Sequence, residues 1–269
     1  MTFHHKIMAA AVAATLSTTA VHATTVSLEL MLLTDTSGSV SSTDFGLMRE
    51  GYAQAFEDAT VQAKIAATST GSIAVAIGFF DSSYKGLGVS WTEVTAATAN
   101  AFATTIRGMS RIGSGGTDLV AGLNGAAAEF GTNGFDGTRQ VIDLAGDGSQ
   151  GEGGCSFTQA ICVPLQNARD AALAGGVETI NALFIKDGSV FGHTGGETID
   201  SIAYGTDNVI GGAGAFVAAA TDFSAFSDAI RDKIIREVAP PTIPVPASLP
   251  LLLAGLGGLG VMRRKSKKA

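Results

Sequence analysis

Between residues 24 and 239 the chain alternates near-continuous apolar runs with stretches in which apolar residues recur at helical spacing. The runs at 26–33 (VSLELMLL), 71–80 (GSIAVAIGFF), 139–147 (RQVIDLAGD), 178–185 (ETINALFI) and 215–220 (AFVAAA) predict strands. A segment at 88–94 (GVSWTEV) returns after the turn signal DSSYKG and predicts a partner strand for 71–80. A helix is predicted at 41–58, where Phe45, Met48, Tyr52, Ala55 and Phe56 fall near one face. Further helices are predicted at 95–109, 118–130, 163–176, 196–204 and 221–238. The one at 163–176 ends in glycines, and the last takes Thr221 or Asp222 as its cap.

Strands that read as unbroken apolar runs are buried on both faces, and their alternation with helices is the pattern of a parallel sheet covered on each side. The expected fold is therefore α/β, a doubly wound, mostly parallel central sheet flanked by helices, in one domain over 24–239. In such sheets ligands bind outside the carboxyl ends of the strands, where the strand order reverses. Polar, glycine-rich loops fall at such ends. DTSGS (35–39) follows the first strand, GDGS (146–149) follows the strand at 139–147, and GSGGTD (113–118) opens a helix between them.

The two ends of the chain differ from this body. Residues 1–23 carry Lys6, an Ala-rich apolar stretch, and Val21 and Ala23 at the minus-three and minus-one positions of a signal-peptidase site, so a secretory signal is expected. Residues 240–269 run from a Pro-rich linker into a 16-residue apolar stretch (247–262) and the cations Arg263, Arg264, Lys265, Lys267 and Lys268. That stretch is at the short edge of the roughly 17–25 residues a spanning helix needs, with the basic cluster on the cytoplasmic side. The segment Val245-Pro246-Ala247-Ser248-Leu249-Pro250, the apolar run and the basic cluster resemble the VPLPA-type variant of the PEP-CTERM sorting tails of Gram-negative bacteria. The resemblance implies cleavage by an exosortase-like membrane protease; a plain membrane anchor is the alternative on the same residues.

Removing both ends changes the charge. Six of the 17 Lys and Arg lie in them and no acid does, which leaves 11 cations against 24 acids, a net charge of −13. An acidic body argues against nucleic acid or an anionic membrane surface as partner, so membrane contact is expected through the tail alone. The two cysteines, Cys155 and Cys162, lie seven residues apart, and an exported chain keeps disulfides, so a bridge is expected. Zinc is the poorer reading, since His193 is the one histidine outside the signal.

The polar loops offer the carboxylates of Asp35 and Asp147, the hydroxyls of Ser37, Ser39 and Thr117, and a neighbouring Asp118. All are hard oxygen donors of the kind Mg²⁺ takes with some retained waters; Mn²⁺ or Ca²⁺ would use the same atoms. Each loop alone is a turn or a helix cap; their conjunction after strands is what points to a metal. Together they resemble the metal-ion-dependent adhesion site (MIDAS) of the von Willebrand factor A (VWA) domain, whose first motif is D-x-S-x-S. The resemblance implies a Rossmann-like VWA fold, hydroxyl ligands from Ser37, Ser39 and Thr117, and Asp35 and Asp147 bound directly or through water. Residues 26–238 also resemble a bacterial family of secreted, functionally uncharacterised A-like proteins, a likeness carried by DNVIGGAGAFVAAATDFSAFSDAIRDKIIREV (207–238). The Cys155–Cys162 loop is no part of the common A-domain pattern. Asp143, on the strand before Asp147, is expected to face an edge or to pair with a cation such as Arg139.

A metal held by neutral hydroxyls and few carboxylates stays electrophilic and takes a charge-assisted contact from an acid. The expected function is an exported, envelope-associated or released binding module, of adhesion type, whose protein partner offers a carboxylate. A non-enzymatic role is expected. A serine hydrolase would have to use His193, no G-x-S-x-G elbow follows a strand, and no Walker motif is present. A metal-assisted or serine hydrolase and a structural matrix component are the alternatives. One Trp and three Tyr make a dedicated sugar-stacking surface a weaker reading.

Overall fold

The computed structural model describes residues 22–157, 159–185 and 200–239. In chain order the elements are β1 (Thr24–Val26), β2 (Glu29–Asp35), α1 (Ser42–Glu57), α2 (Ala59–Ala66), β3 (Ser72–Phe80), β4 (Tyr84–Thr95), α3 (Ala99–Gly108), α4 (Leu119–Ala128), β5 (Phe135–Gly137), β6 (Gln140–Gly146), α5 (Val163–Ala174), β7 (Thr179–Ile185), α6 (Ser201–Asn208), β8 (Gly211–Gly212), β9 (Val217–Ala220) and α7 (Phe226–Val238). The main sheet runs β4-β3-β2-β6-β7, and both β8 and β9 pair with β7. All pairings in it are parallel except β3 with β4 and β7 with β8. The expected doubly wound α/β architecture is thus the one observed.

Period-two alternation sends successive residues of β2 to opposite faces. Leu28, Leu30 and Leu32 join one core cluster with residues of α1, α2, α3 and α7, while Met31 and Leu33 join the other with residues of α4, α5 and α6. Edge-to-face aromatic pairs fix the first layer, with Tyr52 against Phe226 at 5.1 Å and Phe56 against Phe102 at 4.8 Å between centroids. After β2 the chain builds β3 on one side and later crosses back to build β6 on the other. The strand order therefore reverses between β2 and β6, and Asp35 and Asp147 stand at the carboxyl ends of those two strands.

Several boundaries differ from the sequence pattern, each for a local reason. The strand expected at 26–33 breaks at Ser27, whose hydroxyl lies 2.9 Å from Ser69 Oγ and 2.8 Å from Thr70 Oγ1; β1 then pairs with β5 in a separate small parallel sheet. The helix expected at 41–58 is followed directly by α2. Asp58 closes α1 and also caps α2, accepting from the backbone N–H of Thr60 (2.8 Å) and Val61 (3.2 Å). Of the helix expected at 196–204, residues 196–199 lie outside the described residues; α6 starts at Ser201, with Asp200 accepting from Ala203 N at 2.8 Å as its cap. Asp222, not Thr221, caps the last helical segment through Ala225 N, opening a 3-10 turn (Phe223–Ala225) ahead of α7.

Asp143 requires a correction. It faces no edge; it is fully buried in the middle of the sheet and pairs with a cation as expected, but the cation is Lys233 of α7 and not Arg139. Lys233 also donates to Glu237 at 2.6 Å, and Glu237 accepts from Asn181 Nδ2 at 2.8 Å. Arg139 instead lies 3.5 Å from Glu178 and donates to the carbonyl of Glu237. Burial, then the charge of Asp143, pushes the Glu237 carboxyl up to about 8, with Lys233 and Asn181 pulling the other way. The expected disulfide is present, joining Cys155 to Cys162 with Cα atoms 5.8 Å apart. The expected signal (1–23), all but its last two residues, the tail from 240 onward and His193 lie outside the described residues. Among the described residues no helix is long and apolar enough to cross a membrane.

Candidate metal centre

The carboxyl end of β2 turns sharply into α1, and the turn is built by its own polar groups. Asp35 ends the strand, and its Oδ1 accepts the backbone N–H of Ser37 at 2.7 Å. Ser41 then caps α1 in a reciprocal box with Asp44 (Ser41 Oγ accepts from Asp44 N at 3.2 Å, and Asp44 Oδ2 from Ser41 N at 3.1 Å). Capping is thus done by Ser41, and Ser37 and Ser39 are left to point elsewhere. Their hydroxyls lie 3.1 Å apart, and Ser39 Oγ donates to Asp147 Oδ1 at 2.8 Å. Asp147 follows β6 directly, so two loops 108 residues apart in sequence share one hydrogen-bonded row.

The third loop closes over this row. Gly38 N donates to Gly115 O at 2.8 Å, which seats the glycine loop on the β2 turn. Gly151 N donates to Thr117 O at 3.0 Å, which ties the same loop to the segment after Asp147. A Cβ on Gly148 would lie 3.7 Å from both Oγ1 and Cγ2 of Thr117, so the threonine side chain lies against the Asp147 loop. Gly146 is required by close approach: a Cβ there would come within 2.9 Å of Asp35 Oδ2. Asp35, Ser37, Ser39, Thr117 and Asp147 are therefore all drawn to one end of the sheet. Asp118, counted with them from the sequence, serves the neighbouring helix instead. It caps α4 through Ala121 N (3.0 Å) and accepts from Gln150 Nε2 (2.8 Å).

The electrostatics of the cluster are unbalanced. Asp35 is fully buried, and its Oδ2 has no hydrogen-bond partner. Burial, then the charge of Asp147, pushes its carboxyl up to about 7; the hydroxyl and N–H of Ser37 and the charge of Arg111 offset only part of this. An orphaned carboxylate oxygen at a strand end is costly, and a cation would satisfy it. Among the described residues no three His, Cys, Asp or Glu side chains gather as a metal site. The cluster is instead two carboxylates with three hydroxyls, a donor set that suits a hard divalent ion keeping some of its water. Asp35, Ser37 and Thr117 are buried while Ser39 is exposed and Asp147 half-buried, so the row opens to solvent on the Ser39–Asp147 side.

Sequence reasoning missed the residues that hold these loops. Asp81, at the end of β3, is buried and accepts from Ser114 N (3.1 Å) and Gly115 N (2.9 Å) with Oδ2, while Oδ1 takes Lys85 Nζ (2.8 Å). Gly113, at φ +108°, lets the loop pass 2.7 Å (from an imagined Cβ) beside the Thr36 hydroxyl, a path closed to other residues. Thr36 Oγ1 donates to Ile112 O at 2.7 Å. Gln150 is fully buried and joins Asp118, Glu152 and Val120. The signal for Asp81 was present: like Asp35 it is an acid placed directly after an apolar run, in FFDSS.

No curated protein matches the chain. Among solved structures, proximal thread matrix protein 1 from the mussel byssus, with a zinc-occupied MIDAS motif, is similar at 18% identity and a TM-score of 0.53, over 79% of this chain and 48% of its own. The pilus adhesin SpaC from Lactobacillus rhamnosus GG is similar at 16% identity and a TM-score of 0.52, over 79% of this chain and 31% of its own. A von Willebrand factor type A protein from Catenulispora acidiphila has 12% identity and a TM-score of 0.50, over 80% of this chain and 43% of its own. The chain spans about half or less of the length of these proteins, and the likeness is one of fold: the central sheet and its helices are VWA-like. At the level of sequence, residues 25–242 match the family described as "Protein of unknown function (DUF1194)", and the chain belongs to that family.

Proposed function

We propose that this protein is an exported, metal-dependent binding module that recruits an acidic group of a protein partner at the carboxyl end of its sheet. The observation that carries the reading is the orphaned Oδ2 of buried Asp35, set in a row with Ser37, Ser39 and Asp147 and roofed by the Thr117 loop. Those five residues would hold the ion, with Mg²⁺ the first choice and Mn²⁺ or Ca²⁺ served by the same oxygens. When bound, the ion supplies an electrophilic centre for a partner's carboxylate. The chain's own residues do the rest. Asp35 and Asp147 provide two negative charges, the hydroxyls add donors without further charge, and the Ser39–Asp147 side leaves the approach open.

A zinc-occupied MIDAS motif on the same fold in the byssal protein supports a divalent cation here. The neighbours are described as a thread matrix protein of the mussel byssus and a pilus adhesin, which supports export and agrees with the signal read at 1–23. A non-enzymatic role belongs to the same proposal. Retention or release through the tail, with an exosortase-like protease as the processing partner, rests on residues 240–269. A matrix component is the second reading, favoured by the byssal likeness; it uses the same site and differs in partner.

The test has two stages. Thermal unfolding followed with and without magnesium should show a rise in midpoint that chelator reverses and Asp35→Ala removes. Envelope material passed over the full chain in magnesium and in chelator should then yield a partner in the first case only. Binding that survives both chelator and Asp35→Ala would sink the reading.

A further inference from the structure

Arg111 stands on the segment between α3 and the glycine loop, and its Nη2 donates to the carbonyls of Thr36 (3.0 Å) and Ser37 (2.8 Å). Those are the two peptide groups that follow Asp35. Both acceptors are neutral. Among the described residues Arg111 forms no ion pair, whereas Lys85 is paired with Asp81 and Arg107 with Glu50 and Glu57. The side chain is half-buried, and its Nε is buried without a hydrogen-bond partner. A positive charge is thus clamped against the DTSGS turn by neutral acceptors, close enough to act on the Asp35 carboxyl without an ion pair to it.

The charge balance of the loaded site follows. Among the five donor residues and Arg111, a divalent ion cancels Asp35 and Asp147, the hydroxyls contribute none, and Arg111 adds one positive charge; the acids Asp118 and Glu152 on the neighbouring loops are taken up by Ala121 N, Gln150 and Ser82. Resting on the metal-site reading above, we propose that Arg111 is a specificity-determining residue: it weakens capture of the cation and strengthens capture of the anionic group that the cation receives. The body of the chain, at −13 without its two ends, repels acidic partners at long range. A local positive excess is what lets such a body take a carboxylate, so the partner chemistry is an anionic oxygen and not a neutral carbonyl or hydroxyl.

The two effects have opposite signs, which separates a charge from a brace. The full chain is titrated with Mn²⁺ by electron paramagnetic resonance of the free ion, and the loaded chain is then titrated with acetate by loss of water proton relaxation. Arg111→Gln is expected to tighten manganese about five- to tenfold and to weaken acetate by about as much. Arg111→Lys, which keeps the charge without the fork, is expected to stay within about twofold of the parent on both measures. Parallel loss of manganese in both variants would make Arg111 a brace only and overturn the proposal, as would a Gln variant with unchanged acetate affinity. A parent chain that binds no manganese overturns the metal-site reading itself, and the Arg111 proposal with it.

Discussion

Among the described residues, two pairs of interacting carboxylates include a fully buried acid, and they are balanced in different ways. In the core, Asp143 and Glu237 share Lys233, and Glu237 also takes Asn181 Nδ2. At the sheet's carboxyl end, Asp35 and Asp147 share a row of serine hydroxyls, and the nearby Arg111 spends its hydrogen bonds on backbone carbonyls. The first carries its own cation, Lys233, although Asp143 Oδ2 and Glu237 Oε2 accept no hydrogen bond. The second has the anions and hydroxyl donors, and in the proposed reading a divalent ion supplies the balancing charge. Buried carboxylates alone do not identify a functional site; the proposal rests on the one at Asp35, whose Oδ2 accepts no hydrogen bond at an end of the sheet that opens to solvent.

Breaking the core pair should have the largest effect. Lys233→Met leaves Asp143 and Glu237 facing each other without a cation and should cost about 3–5 kcal/mol in denaturant unfolding, metal or no metal. Asp35→Asn should do the reverse in chelator: it removes an unbalanced buried charge and should leave stability equal or slightly raised. Equal losses from the two substitutions would erase the distinction drawn between the regions.

The next effect comes from the metal. Mg²⁺ at a hundredfold excess over its dissociation constant should stabilise the parent by about 2.7 kcal/mol. Asp35→Asn and Asp147→Asn should each abolish this gain, and Lys233→Met should retain it in whatever fraction stays folded. Calorimetric unfolding with and without magnesium checks all three.

The last comparison is of pH dependence. The Glu237 carboxyl lies at about 8 in the folded chain against an ordinary value of 4.5. The folded state therefore holds a proton that the unfolded chain has released over this interval. Stability from this group is present below 4.5 and is lost as pH rises through about 8, with a slope of up to about 1.4 kcal/mol per pH unit. Glu237→Gln should flatten that decline between pH 5 and 8, roughly, while matching the parent near pH 5. Asp35, raised to about 7, adds a decline of the same sign in chelator, and saturating magnesium should remove that part and not the part due to Glu237.

Much of this was readable from the sequence because the signals were local. The long apolar runs announced β2, β3, β6 and β7, and acids or hydroxyls directly after them announced the turns at Asp35 and Asp147. What escaped depends on partners far apart in the chain. Asp143 resembles an edge residue until α7 brings Lys233 over it from 90 residues later. Asp81 looks like a turn residue until the glycine loop folds its N–H groups onto the carboxylate. The break after β1 needs Ser69 and Thr70, and the Asp58 junction needs two helices to claim one residue.

The most direct test of the central claim is anomalous diffraction from crystals of the full chain grown with manganese. The account predicts one manganese peak bounded by Asp35, Ser37, Ser39, Thr117 and Asp147, and none at Asp143 and Glu237. Well-ordered loops without a peak among those five residues, or a peak in the core beside Lys233, would contradict it.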